Sequence, residues 1–579
     1  MTETRQCQNC RNPFVIEPDD FAFYERIKVP PPTWCPECRM IRRMAFRSER
    51  PLFKDFCDLC RKEIISMYGP EKPYKVYCNA CWFSDKWDGT EYGREYDFSR
   101  PFFAQFAGLL AEVPRMALEA YQNENSPYSN FTWMSKNIYL SPSSMFSENI
   151  LFTFGAWYST DLVDCFRTQN SSLGYYLVES NKCSSSRYLT DSLECLDSAF
   201  LFDCRNCRNC FMSSGLRNKT FYFRNTQLTR EEYEKKFAEI DMGSFTSTQK
   251  LIAEFNELML HTMRKYAILS KVENVTGDMI FNSKNVHRGF NGKDSENLKF
   301  VAHFVEAKDS MDAHGVGPSG ELIYEVVNGG YKDQSVFFVT HTYEGMNLVW
   351  YCDYCRLSGK NLFGCAGLKH KQYCILNKQY TKEEYEELVP KIIKHMNDMP
   401  YVDEKGRVYR YGEFFPPELS PSAYNETIAQ EYFPLTKEQA LSRGYRWRDP
   451  DTKEYKVTKP PQGLPDHIKD VDDSILQETI GCAHEGFCTH QCTTAFKVIP
   501  EELAFYRRMN LPLPRLCPNC RHYERLSERN PMKLWHRQCM CDKPNHPHHG
   551  RCPNEFETSY APERPETIYC EQCYNAEVA

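Results

Sequence analysis

Between about Ser135 and Leu228 short apolar or aromatic runs alternate with short polar steps. They are Glu148-Asn-Ile-Leu-Phe-Thr-Phe154, Ser172-Leu-Gly-Tyr-Tyr-Leu-Val178, Asp197-Ser-Ala-Phe-Leu-Phe202 and Lys219-Thr-Phe-Tyr-Phe223. Ser, Asn and Asp turn the chain because their side chains bond the nearby backbone. Short aromatic and β-branched runs suit strands. Strands this short, with no helix between them, predict a β-solenoid in which each turn buries its inner face on its neighbours. Two β-sandwiches of the same strand content are the alternative.

The pattern occurs twice. Ser135-Lys-Asn-Ile-Tyr139 returns as Ser283-Lys-Asn-Val-His287, and Ser147-Glu-Asn-Ile150 as Ser295-Glu-Asn-Leu298. Asp203-Cys-Arg-Asn-Cys-Arg208 returns as Tyr351-Cys-Asp-Tyr-Cys-Arg356. The closing segments, Gly215-Leu-Arg-Asn-Lys219 and Gly367-Leu-Lys-His-Lys371, match after four inserted residues. Each copy then predicts a capped helix, with Thr229 three residues before Glu232 and Thr381 three before Glu384, the capping-box spacing. Tyr385, Leu388, Val389, Ile392, Ile393 and Met396 form an apolar stripe at helical spacing, suited to closing the open end of a solenoid.

Composition changes this picture in one respect. The chain has 579 residues and a formal charge of −7, but 28 of its residues are cysteine. No basic-then-apolar leader opens it and no apolar run is long enough to span a bilayer. The expectation is a cytoplasmic protein with no membrane partner, where paired Cys-x-x-Cys units read as metal sites rather than disulfides.

Cys7, Cys10, Cys35 and Cys38 form one such pairing, and Cys57, Cys60, Cys78 and Cys81 a second. Two knuckles of two thiolates each suit tetrahedral Zn²⁺. The C-terminus copies the module: Cys492 to Cys517 has the length of Cys10 to Cys35, and Cys517-Pro-Asn-Cys520-Arg echoes Cys35-Pro-Glu-Cys38-Arg. The third site is therefore read as Cys488, Cys492, Cys517 and Cys520. Cys482 finds no partner by spacing. The fourth site takes Cys552, Cys570 and Cys573 with either Cys539 or Cys541, and the loop holding His546, His548 and His549 is read as exposed. Four structural Zn²⁺ ions follow, each a folding device for a lobe with little core of its own.

After each Cys-Pro-x-Cys knuckle comes a basic run. Arg39, Arg43 and Arg47 are four apart, and Arg521, Arg525 and Arg529 repeat the spacing. Residues four apart share a helical face. An arginine stripe can track a phosphate backbone, and a solvated face paired with Glu49, Glu524 and Glu528 is the plainer reading. Cys204, Cys207, Cys210, Cys352 and Cys355 read as small apolar residues stacked inside the solenoid.

Phe23-Tyr-Glu-Arg26 leading to Cys35-Pro-Glu-Cys-Arg39, the Thr-x-Glu-Glu-Tyr closure of each solenoid, and Asn554-Glu-Phe-Glu-Thr-Ser-Tyr-Ala-Pro-Glu-Arg-Pro565 resemble an uncharacterised bacterial family of multi-zinc-ribbon proteins. The resemblance implies a cytosolic zinc protein and brings no catalytic residues.

The expected architecture is mainly β. A double ribbon occupies residues 1–90 and a helical linker 91–134. A solenoid repeat with helices fills 135–274, and a second with its capping helix 275–398. A Pro/Tyr-rich linker covers 399–475 and a second double ribbon 476–579. No Gly-x-Ser-x-Gly, phosphate loop or His-Glu-x-x-His is present. The expected role is a non-enzymatic zinc scaffold engaging RNA, DNA or a ribonucleoprotein through its arginine stripes. The alternatives are a protein-interaction scaffold using aromatic solenoid faces and a carbohydrate-active β-helix.

Overall fold

A computed structural model describes residues 2–449, 455–546 and 548–578. Strand exceeds helix. Most strands belong to two long parallel ladders, and each contains one of the repeated sequences.

In the first ladder Lys136–Tyr139, Glu148–Leu151, Thr160–Val163, Ser172–Val178, Ser184–Thr190, Ala199–Phe202 and Phe211–Ser214 pair in parallel, each with the next. The register advances by one fixed step: Lys136 faces Glu148, Glu148 faces Thr160 and Thr160 faces Ser172. This differs from the antiparallel pairing of a β-sandwich. In the second ladder Leu269–Lys293, Glu296–Lys299, Lys308–Val316 and Ala302–Val305 close into a parallel ring, each paired with two of the others.

The backbone explains the step. A non-glycine residue with positive φ recurs at every third position, as at Met134, Asn137, Leu140, Ser143, Phe146 and Asn149. Left-handed corners are unfavourable for L-residues, so they persist only because the neighbouring coils hold them. Between corners, one residue in three points inward: in the first ladder Ile138, Ile150, Leu162, Leu177, Leu189 and Leu201 fill part of the interior, and the other inward positions are mostly small. Ser135, Ser147, Ser159 and Ser171 form one buried column. Ser159 Oγ donates to Trp157 O at 2.9 Å and accepts from Ser171 N at 3.2 Å. Cys183, Cys195 and Cys207 continue this column, with Cys183 N donating to Ser171 Oγ at 3.0 Å. In the neighbouring column that follows Ser141 and Thr153, cysteine also takes over the hydroxyl's bonding pattern: Cys165 Sγ accepts from Leu177 N at 3.4 Å. Cys204, Cys207, Cys210, Cys352 and Cys355 are all buried in these interiors.

In the second ladder Lys308 faces Glu321, Glu321 faces Gln334, Gln334 faces Asn347 and Asn347 faces Lys360. Each of these four steps is one residue longer than those of the first ladder. The four residues inserted in the second copy are therefore distributed singly over four successive coils.

Helix Arg230–Ala238 follows the first ladder and Lys382–Asp398 the second, each opened by the expected capping box at Thr229 or Thr381. Tyr385, Ile392 and Met396 of the latter are buried. Residues 399–449 are closely packed: Tyr409, Phe414 and Phe415 join the core that includes Trp34 and Tyr351. No described helix is long and apolar enough to cross a membrane.

The ribbons dock crosswise. Helix Pro36–Met44 of the N-terminal module lies on the second ladder, with Arg39 Nη2 donating to Asp312 at 2.7 Å. Helix Pro518–Ser527 of the C-terminal module lies on the first, with Arg525 Nη1 donating to Asp164 at 2.8 Å. The strands of the second ribbons pair the other way round. Val76–Tyr77 pairs in parallel with Arg115–Met116 ahead of the first ladder, and Ile568–Tyr569 with Arg264–Lys265 ahead of the second.

Candidate metal centres

Four times the chain builds one local arrangement. A strand pair ends at the first cysteine: Glu3–Gln6 before Cys7, Phe53–Phe56 before Cys57, Ile480–Gly481 before Cys482 and Trp535–Gln538 before Cys539. The third cysteine sits at a helix start: Cys35, Cys78 and Cys517 are N-caps, and Cys570 precedes Glu571–Val578. The positive end of a helix favours a thiolate there.

The backbone N–H of each third cysteine donates to the first cysteine's Sγ. The distance is 3.2 Å for Cys35 to Cys7, Cys78 to Cys57, Cys517 to Cys482 and Cys570 to Cys539. The second and third sulfurs stand 3.8 Å apart in Cys10–Cys35 and 3.9 Å in Cys60–Cys78, Cys492–Cys517 and Cys552–Cys570. Ligands at the zinc–thiolate distance lie about 3.8 Å apart along a tetrahedral edge. In each group all four sulfurs are mutually within 4.8 Å, so each can hold a metal ion.

One thiol per group is also shifted toward thiolate. Burial raises Cys57, but the N–H groups of Cys60 and Cys78 bring it down to about 7. Burial likewise raises Cys570, and the Asn554 amide and the Cys573 N–H bring it to about 7. Hydrogen bonds from the neighbouring thiols, Cys35 and Cys38 for Cys7, Cys482 and Cys520 for Cys517, hold those two sulfurs well below the usual range.

The N-terminal groups contain Cys7, Cys10, Cys35 and Cys38, then Cys57, Cys60, Cys78 and Cys81. The third group differs from the spacing argument. It brings together Cys482, Cys492, Cys517 and Cys520, and Cys488 lies outside. The reason is local: Cys482 N donates to Thr494 O at 2.8 Å, as Cys7 N does to Asn12 O at 2.9 Å. Cys482 thus holds the position of Cys7, and the knuckle between it and Cys492 is enlarged by a loop. The fourth group takes Cys539 with Cys552, Cys570 and Cys573. Cys541 stands beside that quartet with its Sγ 3.2 Å from His546 Nδ1. That histidine is held by Glu577 at 2.7 Å, so the loop is anchored there. Candidate groups outnumber the four expected sites.

The arginine stripe requires correction. Arg39, Arg43, Arg47, Arg521 and Arg525 are buried. Arg43 reaches Glu325 at 2.7 Å and Asp312 at 3.3 Å, and Arg42 spans Glu325 at 3.0 Å and Glu413 at 3.1 Å. Arg47 pairs with Glu49 and donates to Asn328 at 3.0 Å. Arg521 pairs with Asp164 and reaches Glu502 at 3.2 Å. Arg529 stacks on Tyr432 at 3.9 Å and donates to Glu431 O at 2.8 Å. Burial alone would lower the Arg39 guanidinium; Asp312, together with Tyr24 and Tyr324, more than reverses this and leaves it well above its ordinary value. The stripe faces inward, so a phosphate backbone cannot reach these groups in this fold. Their chemistry is docking of ribbon to ladder.

No family model matches the chain, and no curated protein matches it. The fold and the cysteine groups define a chain of two parallel strand ladders carrying several cysteine clusters that can each hold a metal ion.

Proposed function

We propose that the protein is a zinc-dependent, non-catalytic scaffold in which two β-solenoids are clamped by four Cys₄ ribbons. The observation that carries it is the same ligand geometry built four times from separate stretches of chain. Four soft sulfurs and no carboxylate suit zinc, and four thiolates leave no coordination position for a reacting water. The sulfurs gather in quartets at ligand spacing, the usage expected of cysteines in a reducing compartment.

The inward arginines favour a protein partner over nucleic acid. Met134, Phe146 and Tyr158 occupy the same corner of three successive coils and are 49%, 43% and 59% exposed. Phe146 and Tyr158 stack with ring centroids 4.8 Å apart. This apolar column is the docking surface in the favoured reading. The carbohydrate reading finds less support. The cavity between the ladders, lined by Glu179, Asp191, Asp278 and Arg529, holds about 40 Å³, room for water and not for a sugar ring.

Metal analysis of natively purified protein tests the first part, since a metal-free yet folded chain rejects it. Recovery of a defined protein partner, lost in Phe146→Ser/Tyr158→Ser, supports the second. Salt-steep binding of RNA or DNA by that same variant rejects it.

A further inference from the structure

The third ribbon carries more ligands than one ion can use. Cys482 and Cys492 stand ten residues apart where Cys7 and Cys10 stand three apart, and the enlarged knuckle brings in His484, Cys488 and His490. The loop folds back on its own ribbon. Ligand atoms of His484, Cys488, His490 and Cys520 all lie within 4.8 Å of one another. Cys520 Sγ is 3.8 Å from Cys482 Sγ inside the quartet and 3.7 Å from Cys488 Sγ outside it. It therefore stands at one tetrahedral edge from sulfurs on both sides.

The histidines are arranged as ligands are. Their ring centroids are 5.4 Å apart. The Nδ1 atoms of both are buried, and neither has a hydrogen-bond partner. Burial of such a nitrogen without a partner is costly, and a metal ion would satisfy it. His490 is held by stacking on Tyr523 at 5.5 Å and 6°, the kind of outer support that orients a ligating ring.

We propose that the enlarged knuckle binds a second divalent transition-metal ion through His484, Cys488 and His490, with the Cys520 thiolate bridging it to the ion of the quartet. This rests on the reading that the quartets hold zinc. Charge favours it: a lone Cys₄ site leaves two net negative charges, whereas five thiolates with two divalent ions leave one. The donor set, two imidazoles and two thiolates, is one that zinc accepts.

The test compares the metal content of the full chain with that of His484→Ala/His490→Ala and of Cys488→Ala, each dialysed against metal-free buffer. Each variant is expected to lose one zinc equivalent per chain with unchanged circular dichroism. Cadmium-113 exchanged into the native chain should give one mixed sulfur–nitrogen resonance. That resonance should be coupled to a four-sulfur resonance through the shared thiolate and be absent in the double variant. Native and variant chains with equal zinc content, or only four-sulfur resonances, overturn this inference and leave the quartets standing. A native chain without metal overturns both.

Discussion

Arg525 and Asp164 meet at 2.8 Å with neither side chain more than 1% exposed. Arg43 and Asp312 are their counterparts between the N-terminal ribbon helix and the second ladder, at 3.3 Å. Asp164 and Asp312 occupy matching corners of the two ladders, both with positive φ. Each turns a carboxylate outward into a pair of guanidiniums from a ribbon helix.

Removing one partner of such a pair strands the other charge away from water, at a cost of about 3–5 kcal/mol. Arg525→Ala and Asp164→Ala are each expected to lower stability on this scale in urea titration. A surface stripe would give a change near zero. Arg43→Ala takes a partner from both Asp312 and Glu325, 3.3 Å and 2.7 Å away, and is expected to lower stability on the same scale.

The quartet assignments separate neighbouring cysteines. Cys482→Ser is expected to lower the thermal midpoint and make the C-terminal module sensitive to chelator, because Cys482 Sγ accepts the Cys517 N–H. Cys539→Ser should behave likewise through Cys570. Cys541→Ser should leave the fourth ion in place. Differential scanning fluorimetry with and without chelator distinguishes these outcomes.

Ser159 tests the interior. Ser159→Ala leaves the Ser171 N–H buried without its acceptor and is expected to cost about 1–3 kcal/mol. Ser159→Cys should be milder, since a thiol can accept in such a position, as Cys165 Sγ does from Leu177 N in a neighbouring column. Chemical denaturation of the pair decides whether bonding or volume controls the site.

His314 and His341 are buried and His303 is half-buried, and desolvation together with nearby arginines holds each well below the ordinary value of 6.5. The unfolded chain takes up protons there that the folded chain refuses. Stability from these groups is complete above about pH 6.5 and is lost as pH falls through it. Urea midpoints should therefore fall between about pH 7.5 and about pH 5.5. His341 stacks on Tyr354 at 4.5 Å and neither of its nitrogens has a hydrogen-bond partner. His341→Phe is expected to flatten that slope.

How much of this could be read from residues alone depended on whether the signal was local. Cys7 and Cys10 advertise themselves because a tight knuckle fixes their spacing. Cys482 was hidden because its knuckle is opened by a loop. The recoverable signal lay in the strand pair, where Ile480-Gly481 precedes Cys482 as Gln6 precedes Cys7. The helical spacing of Arg39, Arg43 and Arg47 placed them on one face but could not say what that face meets. Asp164 and Asp312, equivalent in the two repeats, were the missing half of that statement. The apolar runs pointed to short strands, yet the finer beat of one inward residue in three was obscured by aromatics at the corners. Phe146 and Tyr158 look like core in a strand pattern and stand outside because their φ is positive.

Crosswise docking has a consequence for synthesis. The first ladder leaves the ribosome early, but the helix that covers Phe152 and Asp164 is encoded beyond Cys517. A nascent chain must therefore carry an uncovered flank through most of its translation, and a message truncated before that codon yields a product whose first half never receives its lid.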